Sequence, residues 1–510
     1  MTSSIGKVYL IGAGPGDPGL ITVKGLECVK KADVIIYDYL ANERLLDQRR
    51  PEAELVYVGK QGGRHTLPQD EINRLIVKRA REGRIVARLK GGDPFIFGRG
   101  GEEAEELVDN GIPFEIVPGV TAATAVPTYA GIPLTHRDYT ASVAFITGHE
   151  DPTKPESTVH WDRIATGIGT LVFFMGMKNL PNIVDNLVNH GRSPETPVAL
   201  IQWGTRTDQK VVTGSLRDIV SKVQAAKLGP PAIIVVGDVV RLRDKLNWYE
   251  SKPLFGKRVI VTRSRDQASV FAEMLIDRGA TTIEFPTIDV VPPSSWDELD
   301  AAITAIEAYQ WIIFTSANAI RFFMERLRTL NKDLRLLKGV NICVVGPKTA
   351  EALDCYGLKP DLVPSEFKAE GVLAALGGTK VRGLKILIPR AKVARELIPD
   401  KLREQGAEVT VATAYENVRP AADLERVLKL FNEKKINAVT FTSSSTVHNF
   451  IEILGPKEYK KLMEGVAVAC IGPVTAKTAE EFGLKTDIMP KDYTIPALVD
   501  AMVEFYNRVH

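Results

Sequence analysis

Short runs of β-branched and other apolar residues alternate with amphipathic helical patterns along most of this chain. Val8–Ile11, Val34–Tyr37 and Ile85–Leu89 are typical of the runs, and Gln69–Glu82 and Glu102–Asn110 are typical of the helical patterns. Strands that alternate with helices predict mainly parallel sheets whose strands are joined by crossover helices. The sequence therefore predicts an α/β fold throughout.

The length of the chain requires more than one domain. It has 510 residues, and a single hydrophobic core stops growing near about 250–300 residues. The polar segment 241–256 contains Trp248, Pro253 and Gly256, and a fresh strand pattern begins directly after it at Lys257–Thr262. We predict one domain over residues 1–246, a linker over 247–255 and a second region over 256–510.

Composition excludes several functional classes. Lys and Arg total 65 against 63 Asp and Glu, so no overall basic field is present to hold nucleic acid. The longest apolar stretches have strand length, far below the roughly 18 residues of a membrane span. Cys28, Cys343, Cys355 and Cys470 form no CxxC pair, which predicts reduced thiols and no metal site. Because the amino terminus does not resemble a signal peptide, we expect a cytoplasmic protein.

The second half contains an internal repeat. Three segments recur in the same order about 127 residues later, and the first of each pair begins at 256, 311 and 343. The pairs are GKRVIVTRS with GLKILIPRA, WIIFTSANAI with AVTFTSSSTV, and CVVGPKTAEAL with ACIGPVTAKTA. We interpret them as two similar α/β units of about 120 residues. Generic strand–turn signals that all parallel sheets share are the alternative.

Three glycine-rich turns follow predicted strands in the first half. They are GAGPGDPG at 12–19, GGDPFIFGRGGE at 91–102 and PGVTAA at 118–123. The first turn is not a dinucleotide fingerprint, because Asp17 stands where GxGxxG requires glycine and two prolines remove backbone donors. This disfavours a nicotinamide-dependent dehydrogenase. Turns at the carboxyl ends of parallel strands surround one crevice, which is where open α/β sheets bind ligands.

The same three turns resemble those of the tetrapyrrole methylases, and most of all the uroporphyrinogen-III C-methyltransferases, over about residues 5–245. The resemblance implies two α/β subdomains at about 1–134 and 140–246, a tetrapyrrole substrate, S-adenosylmethionine as methyl donor and a homodimer formed through this half. The residues that it implies as cofactor contacts are Pro15, Gly91, Gly92, Asp93, Ile96, Thr121, Ala122, Met175, Gly204 and Ala232.

The resemblance also implies two catalytic residues, Asp38 as proton acceptor and Lys60 as proton donor. Each has a simpler explanation: Asp38 follows a strand and can cap the next helix, and Lys60 can be a solvated loop charge. The segment GKQGGRH departs from the family pattern, because Gln61 stands where the family more often has arginine.

In the second half, hydroxyl-bearing residues and arginines follow the predicted strands, and no nucleophile elbow, metal-ligand spacing or Walker loop is found. Such residues suit the recognition of carboxylates, although serine and threonine also cap helices. The candidate substrate contacts are Arg263, Thr315, Ser316, Arg390, Thr442, Ser443 and Thr475.

The motifs of this half resemble the uroporphyrinogen-III synthases over about 256–510; they are VIVTR, FTSANAI, VGPKTA, AYENV, FTSSSTV, IGPVTA and YTIPALVD. The resemblance implies two similar α/β domains joined by a two-stranded connection, one built from 256–288 plus 418–510 and the other from 293–412. It implies the cyclisation of hydroxymethylbilane with loss of water and inversion of ring D. Tyr415 would assist departure of the hydroxyl group, or would simply pack at the connection.

Together the two resemblances imply a bifunctional enzyme, since the product of the second half is the substrate of the first. Two methyl transfers to uroporphyrinogen III would give precorrin-2, a precursor of siroheme and cobalamin. The alternative is an active methyltransferase fused to a non-catalytic ligand-binding module.

Overall fold

The computed structural model describes residues 5–59, 67–149, 158–262, 265–285, 287, 289–366, 369–377, 381–394, 396–418 and 424–508. Two compact units are formed, one by Met1–Lys257 with Asp277–Thr281 and the other by Arg258–Ile276 with Thr282–His510. Across these described ranges, no helix combines the length and apolarity that crossing a membrane requires. Nor do the same ranges contain a group of three or more His, Cys, Asp or Glu placed to hold a metal ion.

The first sheet of the amino-terminal unit is entirely parallel, with strand order β3-β2-β4-β1-β5. Its strands are β1 (Val8–Gly12), β2 (Val34–Tyr37), β3 (Glu54–Tyr57), β4 (Val86–Lys90) and β5 (Phe114–Val117). The helices around it are α1 (Val23–Lys31), α2 (Gln69–Arg81) and α3 (Gly100–Asp109). Helix α4 (Ala122–Tyr129) follows β5 and packs on the second sheet of this unit. The predicted strands and helices are confirmed here to within two residues, because both faces of a parallel sheet are buried and its strands are nearly continuous apolar runs.

The second sheet of this unit is mixed, with order β6-β7-β10-β8-β9. Its strands are β6 (Val143–Thr147), β7 (Thr170–Phe174), β8 (Pro197–Gln202), β9 (Lys210–Ser215) and β10 (Ala232–Val236), and its helices are α5 (Trp161–Gly167), α6 (Leu180–Asn189), α7 (Ile219–Ala225) and α8 (Arg243–Leu246). Strands β6 and β7 are parallel, whereas β10 runs antiparallel to β7 and β8, and β9 runs antiparallel to β8. The connection 203–209 is too short for a parallel crossover, which needs about a dozen residues.

Residues 247–255, predicted to form a linker, contribute buried side chains to the amino-terminal unit. Tyr249 and Leu254 are buried. The Tyr249 ring lies 4.7 Å from that of Tyr129, and its hydroxyl donates a hydrogen bond of 3.3 Å to the carbonyl of Thr205.

The carboxy-terminal unit contains two sheets. The first has the order β12-β11-β18-β19 and the second β13-β17-β16-β14-β15. The strands are β11 (Arg258–Val261), β12 (Thr281–Glu284), β13 (Asp289–Val291), β14 (Trp311–Phe314), β15 (Asn341–Val344), β16 (Lys385–Ala391), β17 (Glu408–Val418), β18 (Ala438–Phe441) and β19 (Ala467–Cys470). The helices are α9 (Arg265–Asp277), α10 (Asp297–Thr304), α11 (Ala317–Thr329), α12 (Pro347–Asp354), α13 (Ala369–Gly377), α14 (Leu397–Glu404), α15 (Leu424–Asn432), α16 (Ser444–Leu454), α17 (Tyr459–Leu462), α18 (Pro473–Glu481) and α19 (Ile495–Arg508).

The internal repeat of the sequence corresponds to these two sheets. The repeated segments form β11, β18 and β19 in one sheet and β16, β14 and β15 in the other, and both sets are neighbours in that order. Ser316 and Ser443 cap the equivalent helices α11 and α16. Strand β13 pairs antiparallel with the end of β17, with Asp289 opposite Val418. Two similar α/β domains with a two-stranded connection are therefore confirmed.

Candidate functional sites

The three glycine turns of the amino-terminal unit meet because their strands β4, β1 and β5 are neighbours in the sheet. Gly14 and Gly92 exchange backbone hydrogen bonds of 3.2 and 2.8 Å. A Cβ atom added to Gly12 would lie 2.4 Å from Cα of Gly119, far closer than side-chain atoms approach a backbone. The turns thus touch backbone to backbone, which only glycine permits at Gly12 and Gly119.

Asp93 braces two of these turns. Its Oδ2 accepts a hydrogen bond of 2.9 Å from the Gly119 amide, and its Oδ1 accepts one of 2.8 Å from the Phe95 amide. Thr121 then caps α4, with its Oγ1 accepting from the Ala123 amide. Asp93 was predicted as a cofactor contact; in the structure its carboxylate holds the second turn against the third.

The second subdomain closes the other side of the cleft. A Cβ atom on Gly204 would lie 2.3 Å from Cγ1 of Val126 on α4, so the turn after β8 packs directly on that helix. The Asp17 amide donates to Thr205 Oγ1 at 3.0 Å, and Tyr129 Oη donates to Asp17 Oδ2 at 2.7 Å. Burial and the Asp17 carboxylate raise the pKa of Tyr129 above its ordinary value. The first glycine turn is thereby fixed to both subdomains.

Strained backbone is concentrated around this cleft. Among the described residues, eight non-glycine residues have a positive φ, and five of them lie in the turns at the cleft: Phe97, Arg99, Met175, Trp203 and Thr205. The left-handed conformation costs an L-residue roughly 1–2 kcal/mol. Strain of this kind persists where the surrounding structure imposes it and is typical of ligand sites.

Exposed apolar and aromatic side chains lie on the same turns. Tyr39, Phe97 and Met175 are each about half exposed. The Phe97 ring lies 5.0 Å from that of Phe174, and Tyr39 lies 5.6 Å from Trp203. Aromatic residues from both subdomains therefore border the cleft, an arrangement suited to a large, flat ligand.

The sequence-predicted cofactor residues fall on the turns of this one cleft. Ala232 begins β10 opposite Gln202 and so lies beside the turn that carries Gly204. The others lie on the turns after β1, β4, β5, β7 and β8: Pro15, Gly91, Gly92, Asp93, Ile96, Thr121, Ala122, Met175 and Gly204. Their roles remain predictions.

Asp38 follows β2 at the same edge of the sheet, and its side chain is 26% exposed. Its Oδ2 accepts a hydrogen bond of 3.2 Å from Arg88 Nη2, and its Oδ1 accepts one of 3.1 Å from the Leu40 amide. The Asp38 carboxylate therefore stabilises the turn that follows β2 and pairs with the buried guanidinium of Arg88. Lys60 and Gln61 lie outside the described residues.

Behind Asp38 the structure contains a buried charged cluster that the sequence analysis missed. Arg88 and Lys90 on β4 both point towards Glu103 on α3. Two charged residues at alternate positions of an otherwise apolar strand, VARLK, were the available signal. Their partner, Glu103, lies on α3. The strand pattern alone does not predict how α3 packs against β4.

In the carboxy-terminal unit, Tyr415 and Ser316 are brought together. Tyr415 is 8% exposed, its hydroxyl lies 3.1 Å from Ser316 Oγ, and its ring stacks on Phe322 at 5.8 Å. Arg390 is buried on the neighbouring strand β16 and pairs with Glu396. Thr315 precedes Ser316 and is half-buried. These candidates form one group at the second sheet.

The remaining candidates belong to the first sheet of that unit. Ser443 caps α16 in a reciprocal capping box with Thr446. Thr442 is half-buried, whereas Thr475 on α18 is almost fully buried. Arg263 lies outside the described residues. Ser316 and Ser443 both cap helices, so the simpler explanation given for these serines in the sequence analysis is correct for both.

Comparison with known proteins identifies both halves. The model for tetrapyrrole (corrin/porphyrin) methylases matches residues 7–220, and the model for uroporphyrinogen-III synthase HemD matches residues 269–500. The porphyrin biosynthesis protein HemD of Ruminiclostridium josui is 36% identical over 98% of each chain. The chain belongs to the family that fuses a tetrapyrrole methylase to a uroporphyrinogen-III synthase. Its first half is a uroporphyrinogen-III C-methyltransferase and its second half a uroporphyrinogen-III synthase.

Other relatives cover the methyltransferase half. The uroporphyrinogen-III C-methyltransferase of Bacillus subtilis (strain 168) is 44% identical over 65% of this chain and 68% of its own. The S-adenosyl-L-methionine-dependent uroporphyrinogen III methyltransferase of Methanosarcina barkeri is 54% identical over 48% of this chain and 96% of its own. The structure of uroporphyrin-III C-methyl transferase from Thermus thermophilus complexed with S-adenyl homocysteine is 38% identical, with a TM-score of 0.40, and covers 46% of this chain and 100% of that one.

Tyr129→Phe tests the attachment of the first glycine turn. The substitution removes the hydrogen bond to the Asp17 carboxylate, and bonds to charged groups contribute about 1.5–3 kcal/mol. We expect the free energy of unfolding of the methyltransferase half to fall by about that amount in urea denaturation. The control is Tyr139→Phe, at an exposed tyrosine. Equal effects of the two substitutions would show that the Tyr129–Asp17 bond contributes nothing particular.

Proposed function

We propose that this enzyme cyclises hydroxymethylbilane to uroporphyrinogen III in its second half and methylates that product twice in its first half, giving precorrin-2. The observation that carries the proposal is that the models of both families match successive parts of this one chain, at residues 7–220 and 269–500. The product of one half is the substrate of the other, so a single chain supplies consecutive steps towards siroheme or cobalamin. We assign the methyltransferase to residues 1–246 and the synthase to 256–510.

The cleft of the methyltransferase fits S-adenosylmethionine. Gly92 has a φ of +71°, and a Cβ atom added there would meet no protein atom closer than 3.6 Å. The protein thus leaves room at this glycine for an atom at ordinary contact distance from the third turn, which suits a ligand lying against the backbone. When bound, S-adenosylmethionine supplies an electrophilic methyl group. The residues that would hold it are Pro15, Gly91, Gly92, Asp93, Ile96, Thr121, Ala122, Met175, Gly204 and Ala232.

That methyl group would pass to a nucleophilic pyrrole β-carbon of the substrate, and S-adenosylhomocysteine would leave with the electron pair of the methyl–sulfur bond. The methylated ring then carries a positive charge, and loss of a proton neutralises it. Asp38 accepts this proton. In the accompanying rearrangement of the macrocycle's double bonds, Lys60 donates one proton while the macrocycle loses another, so that the product stays neutral. The position of Asp38 supports its role, because its carboxylate is partly exposed at the cleft and is held from behind by Arg88. The cleft walls orient the two reactants and exclude water.

The synthase acts on a substrate that cyclises unaided, so its task is to fold the chain of rings and to direct closure. Tyr415 donates a hydrogen bond to the departing hydroxyl, and Ser316 beside it holds the phenol in place. Eight substrate carboxylates need donors, which Arg263, Thr315, Ser316, Arg390, Thr442, Ser443 and Thr475 supply. Of the described candidates at the first sheet, Thr442 and Ser443 are more exposed than Thr475.

We further propose a homodimer formed through the methyltransferase half and a cytoplasmic location. The resemblance to the methylases supports the first. The four free thiols support the second, because reduced cysteines are typical of that compartment.

The whole chain, supplied with hydroxymethylbilane and S-adenosylmethionine, should produce precorrin-2. Chromatography identifies it, together with a mass gain of two CH2 units over uroporphyrinogen III, because each methyl group replaces a proton. Without S-adenosylmethionine it should stop at uroporphyrinogen III. Supplying uroporphyrinogen III directly tests the first half alone. If hydroxymethylbilane yields only the uninverted isomer at the uncatalysed rate, the second half is a binding module and the proposal is wrong for it.

Gly92→Ala tests the cofactor cleft against a matched control. Gly111 also has a positive φ, +64°, and open space at its Cβ position, so Gly111→Ala introduces the same backbone strain at the end of α3. Both variants should lose similar stability, about 1–2 kcal/mol. Only Gly92→Ala should weaken S-adenosylhomocysteine binding, by about tenfold or more in calorimetric titration. Equal affinities for the two variants would place the cofactor elsewhere.

Tyr415→Phe should slow cyclisation about 10–100-fold while the product remains uroporphyrinogen III. Loss of one hydrogen bond to a developing charge costs about 1.5–3 kcal/mol, and the buried ring keeps its contact with Phe322. Rate and isomer ratio are measured together by chromatography, with Tyr356→Phe as the control. Complete loss of turnover in a folded protein would make Tyr415 an essential acid. An unchanged rate would leave it a packing residue.

A further inference from the structure

The buried charged cluster of the first subdomain lies directly behind the cleft. Arg88 and Lys90 are 3% and 4% exposed on the inner strand β4, and Glu103 is 1% exposed on α3. They share one face of the sheet with apolar side chains such as Val86 and Leu107. Three ionisable side chains thus lie among apolar ones beside the central strand of a parallel sheet.

Glu103 connects the members of this cluster through one oxygen. Its Oε1 accepts hydrogen bonds from Lys90 Nζ at 2.7 Å, from Arg88 Nε at 3.2 Å and from Gln69 Nε2 at 3.2 Å. Its Oε2 is buried and has no hydrogen-bond partner within the described part of the chain. Burial, together with the charge of Arg88, lowers the pKa of Lys90 below its ordinary value.

Arg88 carries the connection to the cleft. Its Nη1 donates to the carbonyl of Leu89 at 3.0 Å, and its Nη2 donates to Asp38 Oδ2 at 3.2 Å. With its Nε on Glu103, the planar guanidinium is held on three sides. Glu103, Arg88 and Asp38 form a continuous path from the centre of the domain to a partly exposed carboxylate.

Stability does not explain this arrangement. Each buried ion costs several kcal/mol of desolvation, and exchanging buried ion pairs for well-packed apolar residues is often neutral or stabilising. Buried charged groups can instead hold a reacting side chain in one position. Such positioning matters for catalysis, because misplacement by about 1 Å can cost about 100-fold in rate.

We propose that Glu103 is a positioning residue for methyl transfer: with Lys90 it fixes Arg88, and Arg88 in turn holds the Asp38 carboxylate towards the substrate. This inference rests on the proposed role of Asp38 as proton acceptor. Glu103 itself is buried beneath the cleft and acts only through Arg88. Its removal changes the placement of Asp38 and leaves the cofactor turns in place.

The test is a double-mutant cycle on the whole enzyme with Asp38→Asn, Glu103→Gln and the pair. The rate of the first methyl transfer to uroporphyrinogen III is measured in a single turnover, and S-adenosylhomocysteine affinity is measured by titration. Glu103→Gln should slow transfer about 10–100-fold with affinity changed less than twofold. In the Asp38→Asn background the same substitution should cost less than about twofold, since residues that act as a unit are not additive.

Controls distinguish this role from a structural one. Glu105→Gln removes an exposed carboxylate from the same helix and should leave the rate unchanged. If Glu103→Gln does not fold, Glu103→Gln combined with Lys90→Met removes one charge of each sign, and this pair replaces the single variant in the cycle with the same expected result.

The measurements distinguish a wrong role for Glu103 from a wrong role for Asp38. Equal losses from Glu103→Gln in both backgrounds, or weakened cofactor binding that matches the loss of rate, would overturn the positioning role while leaving Asp38 catalytic. A full transfer rate in Asp38→Asn would overturn the proposed role of Asp38 and the inference with it.

Discussion

The methyltransferase cleft depends on direct contact between backbones. Gly12 and Gly119 are so close that a Cβ atom on either would lie within 2.6 Å of the other's Cα. This contact lets three turns from neighbouring strands share one edge of the sheet, and it places the Gly119 amide within reach of Asp93. Any side chain between the turns would separate the strand ends and open that bond. The strained residues on the turns around the cleft persist because the surrounding structure imposes their conformation.

Much of the fold was readable from the sequence, because its signals are local. Buried parallel strands are apolar runs, and glycine marks the turns at their ends. Strands β1, β2 and β4 of the first sheet were therefore predicted to within two residues. The mixed second sheet was not predicted, although the short connection 203–209 already demanded an antiparallel neighbour. The Arg88–Glu103 pair could not be predicted, because it joins residues 15 positions apart whose meeting depends on how α3 packs on β4. Helix capping by Ser316 follows from local pattern, but its contact with Tyr415, 99 residues away, does not.

The two synthase domains show how a repeat becomes asymmetric. Ser316 and Ser443 occupy the same position after equivalent strands and cap equivalent helices. The hydroxyl of Ser316 meets Tyr415, whereas that of Ser443 meets Ser445 at 2.9 Å. The difference comes from β17, whose 11 residues run through the second sheet and on to pair with β13. The connecting strand β17 thus brings the Tyr415 hydroxyl to Ser316 and not to Ser443. The two repeated turns therefore differ in the side chains around them.

The two halves also differ in where they place charge, and the difference follows from their chemistry. Methyl transfer leaves a carbon-bound proton that must go to a base in a fixed position. The base that we propose, Asp38, is backed by two buried basic side chains and a buried carboxyl group. Such a cluster is costly to bury, so it is retained where geometry matters more than stability. Cyclisation of an already reactive substrate needs no strong base. The hydroxyls of Ser316 and Tyr415 cost little to bury once bonded to each other, and they can still donate to a departing hydroxyl group. In the mechanisms that we propose, one chain therefore uses buried charged side chains to direct a proton and neutral hydroxyls to guide the closure of a reactive substrate.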